Sequence, residues 1–527
     1  MGWGVIESSG TVYAPGSVYL EDQKVPNVII IGEDGLKRKQ GVILQPQPDD
    51  NPNDPLMWSK TWKLAHLFVI AFGSSATNAL TTMVIPGIEP LTEKFETTEA
   101  EISTFILTAP TFFTSVAAFF VVSGADIYGR RPFYVISTIV MALANFVAFV
   151  AQTYPVLIVA RTITGIFSAA AFTLVTATIA DIFFVHQRGS AVAFWNISLT
   201  VGGQVGQIVG GAVTDALGIS AVFGLAAVVY MALSIPTYFI VLETGYFKRG
   251  APVPRSGENE GFDEIEYAKH MPPPKQPYMT QLALFRSRMT NKAFWAGVVK
   301  PLFLLSSPII SYSAAMNSLF LILAGNATAL LSVILSAPPY NLKPTEIGLT
   351  GLPILGVALI GGPLVGWISD ESVRLMARTN GKNPGVAEPE FRLVLLLLAI
   401  PITAVGLVSL GNALQNGLPL TWVLTWLSVV SFGSSAGVQV AISYLIDYLP
   451  TQSGQAFSSV NMIAALVSFV GSAPMLNWLE QSGPQAVLSS LAGAGMAILA
   501  IALPFYVFGK RIRNWYGNTR LAQSILG

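Results

Sequence analysis

The 527-residue chain has no cysteine, only three histidines, and a charged fraction of just 11%. Without cysteine there is no disulfide framework, no thiolate zinc or iron–sulfur centre and no cysteine nucleophile. His66, His186 and His270 lie far apart and form no HExxH-type pair, so neither a metal site nor a bound cofactor is expected. The 29 basic residues balance 29 acidic ones, and no basic run points to nucleic acid. An ordinary soluble domain carries roughly 25% charged residues. A soluble surface could not be built with less than half that share, whereas a surface facing lipid needs little charge. With 52% hydrophobic residues, the chain reads as an integral membrane protein.

What is present is a series of long apolar runs. Residues 1–60 are polar, with prolines and charges clustered in QPQPDDNPNDPLMW, and read as a mostly irregular N-terminal tail without a run of signal-peptide type. A helix crossing the hydrocarbon core needs about 20 apolar residues. That length predicts six spans near 62–88, 102–123, 133–152, 156–180, 190–214 and 219–242. A polar loop over 243–292 separates them from six more, near 298–334, 346–369, 391–412, 419–446, 455–479 and 485–508. The stretch 298–334 is too long for one straight helix, and Pro301 and Pro308 predict an interfacial turn before the span proper. The expected fold is all-α, in two six-helix halves (61–242 and 293–509), with a C-terminal tail over 510–527. Placing both termini in the cytoplasm puts most of the 29 Lys and Arg there, including Arg130, Arg131, Arg188, Arg374, Arg378, Lys510 and Arg511. Lys94 and Lys343 fall outside. The plasma membrane is the expected location, with the vacuolar membrane as the alternative, and a monomer is expected.

Two loops carry a recognisable pattern. VSGADIYGRRPFYV, after span 2, resembles a signature of the major facilitator superfamily, in which an aspartate, a glycine and two basic residues form a tight turn; Asp126, Gly129, Arg130 and Arg131 match. Val122 stands where the signature opens with glycine. The loop after span 8, GGPLVGWISDESVRLMAR, keeps Gly366, Asp370 and Arg374, with Val373 at the middle glycine. Span 4 contains VARTITGIFSAAAF, similar to the family's arginine–glycine signature at Arg161 and Gly165. Span 5 contains VGGQVGQIVGGAV, whose Gly202, Gly206, Gly210 and Gly211 resemble the glycine-rich signature of proton-coupled drug exporters, although Gln207 replaces its proline. DPLMWSKTWK, VLETGYFKR, APPYNLKPTEIGLTGLP and GVAEPEFRL look most like the fungal twelve-span drug:proton antiporters, closest to their polyamine and cation branch. The resemblance implies a secondary transporter working by alternating access, with protons as a coupled partner and a small molecule as cargo. It also implies that Asp126, Gly129, Arg130, Arg131, Gly366, Asp370 and Arg374 form a latch, the alternative being solvated loops that only set topology.

Polar side chains inside spans are costly in lipid and mark function or helix contacts. The candidates for substrate binding are Asn78, Arg161, Asn196, Gln204, Gln207, Tyr312, Asn317, Gln439, Tyr444 and Asn461. Asn196, Gln204 and Gln207 share a stripe of one helix. Each amide taken singly could equally be interhelical glue. Asn196 and Asn326 sit in glycosylation sequons, but both fall within proposed spans. Asp181, Asp215, Glu243 and Asp447 lie near span ends, and no carboxylate is placed near a midplane. A polyamine site would need buried anions to replace lost hydration. The composition therefore favours export of a neutral or anionic, partly apolar drug-like compound or fungal secondary metabolite. Polyamine or cation uptake is the alternative. Asp126 or Asp181 is the candidate proton carrier, since arginine does not titrate near neutrality. A lipid-modifying enzyme lacks an acid–base or metal cluster, and a non-transporting nutrient sensor is the remaining class.

Overall fold

The computed structural model describes residues 53–245, 276–285, 288–290, 293–322, 327–378, 386–449 and 453–519, with short pieces of the N-terminal segment and residue 523. Most of the tail, most of the central loop and Asn326 therefore lie outside the described residues. Within the tail, three short antiparallel strands occur at Ile29–Ile31, Lys37–Lys39 and Val42–Ile43.

Everything else of length is helical. Span 1 is Lys60–Thr82, continued by Ile88–Phe95. Span 2 begins with a wide π-helical turn, Ile102–Thr108, and runs on as Ala109–Tyr128. Spans 3 to 6 are Arg131–Val150, Tyr154–Ile182, Val185–Leu217 and Ile219–Ile240. Span 7 comprises Pro308–Leu321 and Ala327–Ser336, and is preceded by a helix, Phe294–Leu304, bent from it by 81°. The bend falls between Leu304 and Pro308, where Pro301 and Pro308 predict a break before the span. Span 8 is Gly351–Arg378, led by Pro344–Leu349. Span 9 is Leu396–Gln415, led by a tight turn over Pro389–Leu395, and span 10 is Leu420–Tyr448. Spans 11 and 12 form one 65-residue helical run, Ser453–Gly517, broken at Gly483 where φ is 76°.

Nine of these runs are long and apolar enough to cross a membrane, and the bent pair makes ten, among the described residues. The sequence predicts twelve. One of the two missing spans is the second half of the run broken at Gly483. The other is span 5, whose 33 residues are ample in length but diluted by Asn196, Gln204, Gln207 and its glycines. The final helix also continues past residue 509, carrying Lys510 and Arg513 into the packed interior.

The core forms in separate clusters. One is built by residues 304–502; two others are built by residues 67–241, with Ala329 joining one of them. Between apolar helices in lipid, close backbone approach replaces the hydrophobic drive available in water. Spans 1 and 5 show this plainly. Gly202, Gly206 and Gly210, one turn apart, pack against the backbone of Ser75, Ala79 and Met83, and a Cβ at any of them would overlap those atoms. Gly165 of span 4 meets Pro110 of span 2 in the same way.

Candidate functional site

Asn53, Gln276, Met289 and Thr519, the described residues beside the chain ends and the central loop, mark one end of the bundle, the terminus side. The hairpin after span 1 and the breaks at Gly218, Gly417 and Gly483 lie at the opposite, far side. Hydrogen bonds that join spans 1–6 to spans 7–12 cluster in the far half. Two seams carry most of them. In the first, Thr104 and Thr108 of span 2 meet Ser472 of span 11 at 2.9 and 3.2 Å, and Phe112 stacks on Phe469 with ring centroids 5.3 Å apart. In the second, Gln207 of span 5 donates to the Ile347 carbonyl (3.3 Å) and Thr350 (3.4 Å), while Asp215 accepts from the Thr345 N–H (2.9 Å) and its hydroxyl. Gly211 lies directly on the Pro344 backbone there. Ser332 adds a bond to the Ile85 carbonyl (2.9 Å).

Toward the terminus side the burial of span 5 falls. Gln207 is buried in the seam and Gln204 is half-buried beside Gly351, whereas Asn196 is exposed. Eleven residues at 3.6 per turn bring Asn196 back to within about 20° of Gln207, so one side of span 5 is covered by residues 347–351 at Gln207 and exposed at Asn196. Span 8 is the least buried of the candidate spans, and Gly356, Gly362 and Gly366 on it face open space. Gln439 of span 10 is exposed as well.

Other candidates sit in packing contacts. Asn78 donates to the Leu199 carbonyl (2.8 Å), joining spans 1 and 5. Asn317 donates to Asn461 (3.1 Å), joining spans 7 and 11. Tyr312 stacks on Phe505 of span 12 (4.5 Å), and Tyr444 is fully buried in the same core. Both tyrosines point into the second half. Each has an aromatic body large enough to fill the space between helices, and a hydroxyl alone does not redirect it.

Arg161 is 2% exposed. Its Nε donates to the Ile106 carbonyl (3.2 Å), and its guanidinium lies over the Phe223 ring (5.9 Å). Local sequence explains the bond. Pro110 has no N–H, so the carbonyl four residues before it, Ile106, lacks its α-helical donor, and Arg161 supplies one. The second terminal nitrogen of Arg161 is buried without a hydrogen-bond partner among the described residues.

Charge concentrates at the terminus side in two clusters. Gly129 ends span 2 with φ 91°, a conformation that suits glycine, and sets Arg130 and Arg131 at the head of span 3. Arg130 pairs with Asp181 at the end of span 4. Glu243, just beyond span 6, accepts from the backbone N–H of Arg130 (2.9 Å) and Arg131 (3.1 Å), a carboxylate at a helix N-terminus. The Arg131 side chain, fully buried, donates to the carbonyls of Tyr238, Val241 and Gln281. The Asp126 carbonyl accepts from Thr290 (3.2 Å).

In the second half, Arg392 at the head of span 9 bridges Asp370 (2.6 Å) and Asp447 (2.9 Å). Arg374 instead reaches Glu371 (3.6 Å), both exposed. Beside them is a cluster that the sequence reading overlooked. Glu388 and Glu390, before span 9, pair with Lys510 and Arg513 of span 12 at 2.6–2.9 Å, and all four are 0–3% exposed. The fragment GVAEPEFRL held the signal, two glutamates flanking a proline ahead of an apolar run. Its partners lie more than 100 residues away, so the pairing could not be read locally. The arrangement reverses the first half: there basic residues open span 3 and a carboxylate follows span 6.

Against known proteins, residues 67–472 match the model of the Major Facilitator Superfamily. Protein HOL1 of Saccharomyces cerevisiae is 25% identical, over 95% of this chain and 96% of its own. The MFS-type transporter hepF of Aspergillus oryzae is 24% identical, over 91% and 95%. The solved structure of the human organic anion transporter MFSD10 (TETRAN) superposes with a TM-score of 0.53 at 14% identity, covering 84% of this chain and 99% of that one.

Proposed function

Because the chain belongs to the major facilitator superfamily and is thus a membrane transporter of small molecules, we propose that it exports a neutral or anionic, partly apolar organic molecule in exchange for protons. The terminus side faces the cytoplasm in this reading, as the basic residues of the loops favour. The single observation that carries the reading is that the hydrogen-bonded seams between the spans of the two halves lie on the far side. Seams of hydroxyls, amides and glycine backbone join the far side, and we read the exposure of Asn196 below them, on the side of span 5 that carries Gln207, as a gap between spans 5 and 8. That is a cytoplasm-open state, from which an exporter loads. Such seams combine small polar contacts with one stacked phenylalanine pair, contacts that an alternating cycle would form and break.

The cargo class rests on what lines the gap. Asn196 and Gln439 offer uncharged polar contacts. Asp181, Asp215, Glu243, Glu388, Glu390 and Asp447 all lie at helix ends, and no described carboxylate lies at mid-span to replace the hydration of an ammonium group. Arg161, enclosed among spans 2, 4 and 6, supplies a positive charge within the described span interiors. Proton exchange is assigned to Asp181, whose bond to Arg130 ties span 4 to the loop after span 2 and must loosen if that loop shifts.

Flux in vesicles of purified protein tests the proposal. With an imposed pH gradient, radiolabelled cycloheximide or fluorescein should move in a protein-dependent, gradient-dependent way, and spermidine should not. Protein-dependent spermidine accumulation would overturn the cargo class. Flux of either class without a pH gradient, and indifferent to one, would overturn proton exchange.

A further inference from the structure

The helix Phe294–Leu304 has two unlike faces. Val298, Pro301 and Leu304 are buried, and Gly297 lies against Ser123 of span 2. Trp295 and Phe303 are 66% and 53% exposed, and Val299 and Leu302 are exposed with them. Only Lys300 carries charge on this helix. An 81° bend separates it from span 7, so when span 7 crosses the bilayer this helix lies nearly in the membrane plane.

Its contacts reach both halves. At one end, Phe120 of span 2 meets Phe294 and Trp295, each with ring centroids 6.4 Å apart. At the other, Ser459 of span 11 donates to the Pro301 carbonyl (2.5 Å), and the following turn is held by Ser306 to Tyr516 (2.7 Å). Eleven helical residues measure about 16 Å. The helix thus crosses from span 2 to span 11 on the terminus side of the Phe112–Phe469 contact.

We propose that Phe294–Leu304 is a strap seated in the terminus-side leaflet, closing the lateral gap between spans 2 and 11 against lipid. The occupant of its exposed stripe is the acyl boundary of the bilayer. Phe120, itself exposed on span 2, makes the stripe continuous with the apolar belt of the spans. An in-plane helix with aromatic residues on one face buries that face among headgroups and upper acyl chains. The strap rests on the membrane setting of the fold and not on the cargo, so it stands or falls separately from the export reading.

The absence of native cysteine makes the test direct. W295C, V299C and F303C, and inward-facing V298C and L304C, are each labelled with a nitroxide in the full chain and reconstituted into phosphatidylcholine vesicles. Collision with oxygen and with a water-soluble nickel chelate is then measured. At 295, 299 and 303 oxygen access should exceed chelate access by about threefold or more, as for a leaflet-buried face, while 298 and 304 stay low for both. Chelate access equal to oxygen access at 295 and 303 would place the face in water and overturn the proposal. Low access to both reagents there would mean a protein cover, such as a second copy, and would overturn it equally. Ser459→Ala should sharpen the nitroxide line at 303 by freeing one end of the strap. An unchanged line would remove span 11 from its anchorage.

Discussion

Arg161 and Arg513 are both fully enclosed by protein, yet they differ in what surrounds the charge. Arg513 has two carboxylates within 2.9 Å; Arg161 has a carbonyl, an aromatic face and an unmatched nitrogen. Removing one partner from a buried ion network costs about 3–5 kcal/mol. Glu390→Ala should therefore collapse the yield of monodisperse protein and lower its thermal midpoint in detergent. Arg374→Ala, at an exposed pair, should change stability by no more than about 0.5 kcal/mol. Arg161→Ala should abolish flux in vesicles while costing about 1–3 kcal/mol in stability, the penalty of orphaning the Ile106 carbonyl. Normal flux in that variant would take Arg161 out of the transport cycle. The sequence exposed Arg161 because an arginine inside an apolar run is conspicuous. It hid Arg513, which sits in a basic stretch that reads as a solvated tail.

At the scale of the element, span 5 shows how far pattern reading reaches. Its three predicted amides meet three environments, Gln207 buried, Gln204 half-buried and Asn196 exposed. A helical wheel cannot say that one end of a stripe is clamped and the other open, because that depends on the angle between the halves. The glycines divide likewise: Gly202, Gly206 and Gly210 face span 1, whereas Gly211 faces the Pro344 backbone across the seam. Gly211→Leu should wedge that seam apart without disturbing the contact with span 1. A cysteine placed at Ile347, buried when the far side is closed, should then react several-fold faster with an impermeant maleimide. Unchanged labelling would mean that the seam tolerates the added volume and does not control access. Span 8 illustrates the opposite limit, for Gly362 and Gly366 are one turn apart like packing glycines, yet they and Gly356 face open space.

Across the whole molecule, the twelvefold alternation of apolar and polar stretches was legible, and so was the bend before span 7. The relation between the halves was not, because it arises from contacts between segments hundreds of residues apart. Thr104 and Ser472 are separated by 368 positions, yet their hydroxyl oxygens lie 2.9 Å apart. Thr104→Cys with Ser472→Cys should therefore cross-link under mild oxidation. Alternating access requires the locked protein to lose nearly all flux and to regain it on reduction. Full flux with the bond intact would contradict a far side that must open. Spans 5 and 6 are joined by Gly218 alone, and spans 11 and 12 turn at Gly483, each glycine taking positive φ with no slack of chain beside it. A seam helix at the far side therefore cannot swing out without dragging its peripheral neighbour through the surrounding lipid. Turnover should accordingly feel bilayer thickness and lateral pressure, making the membrane a mechanical load on the cycle as well as its container.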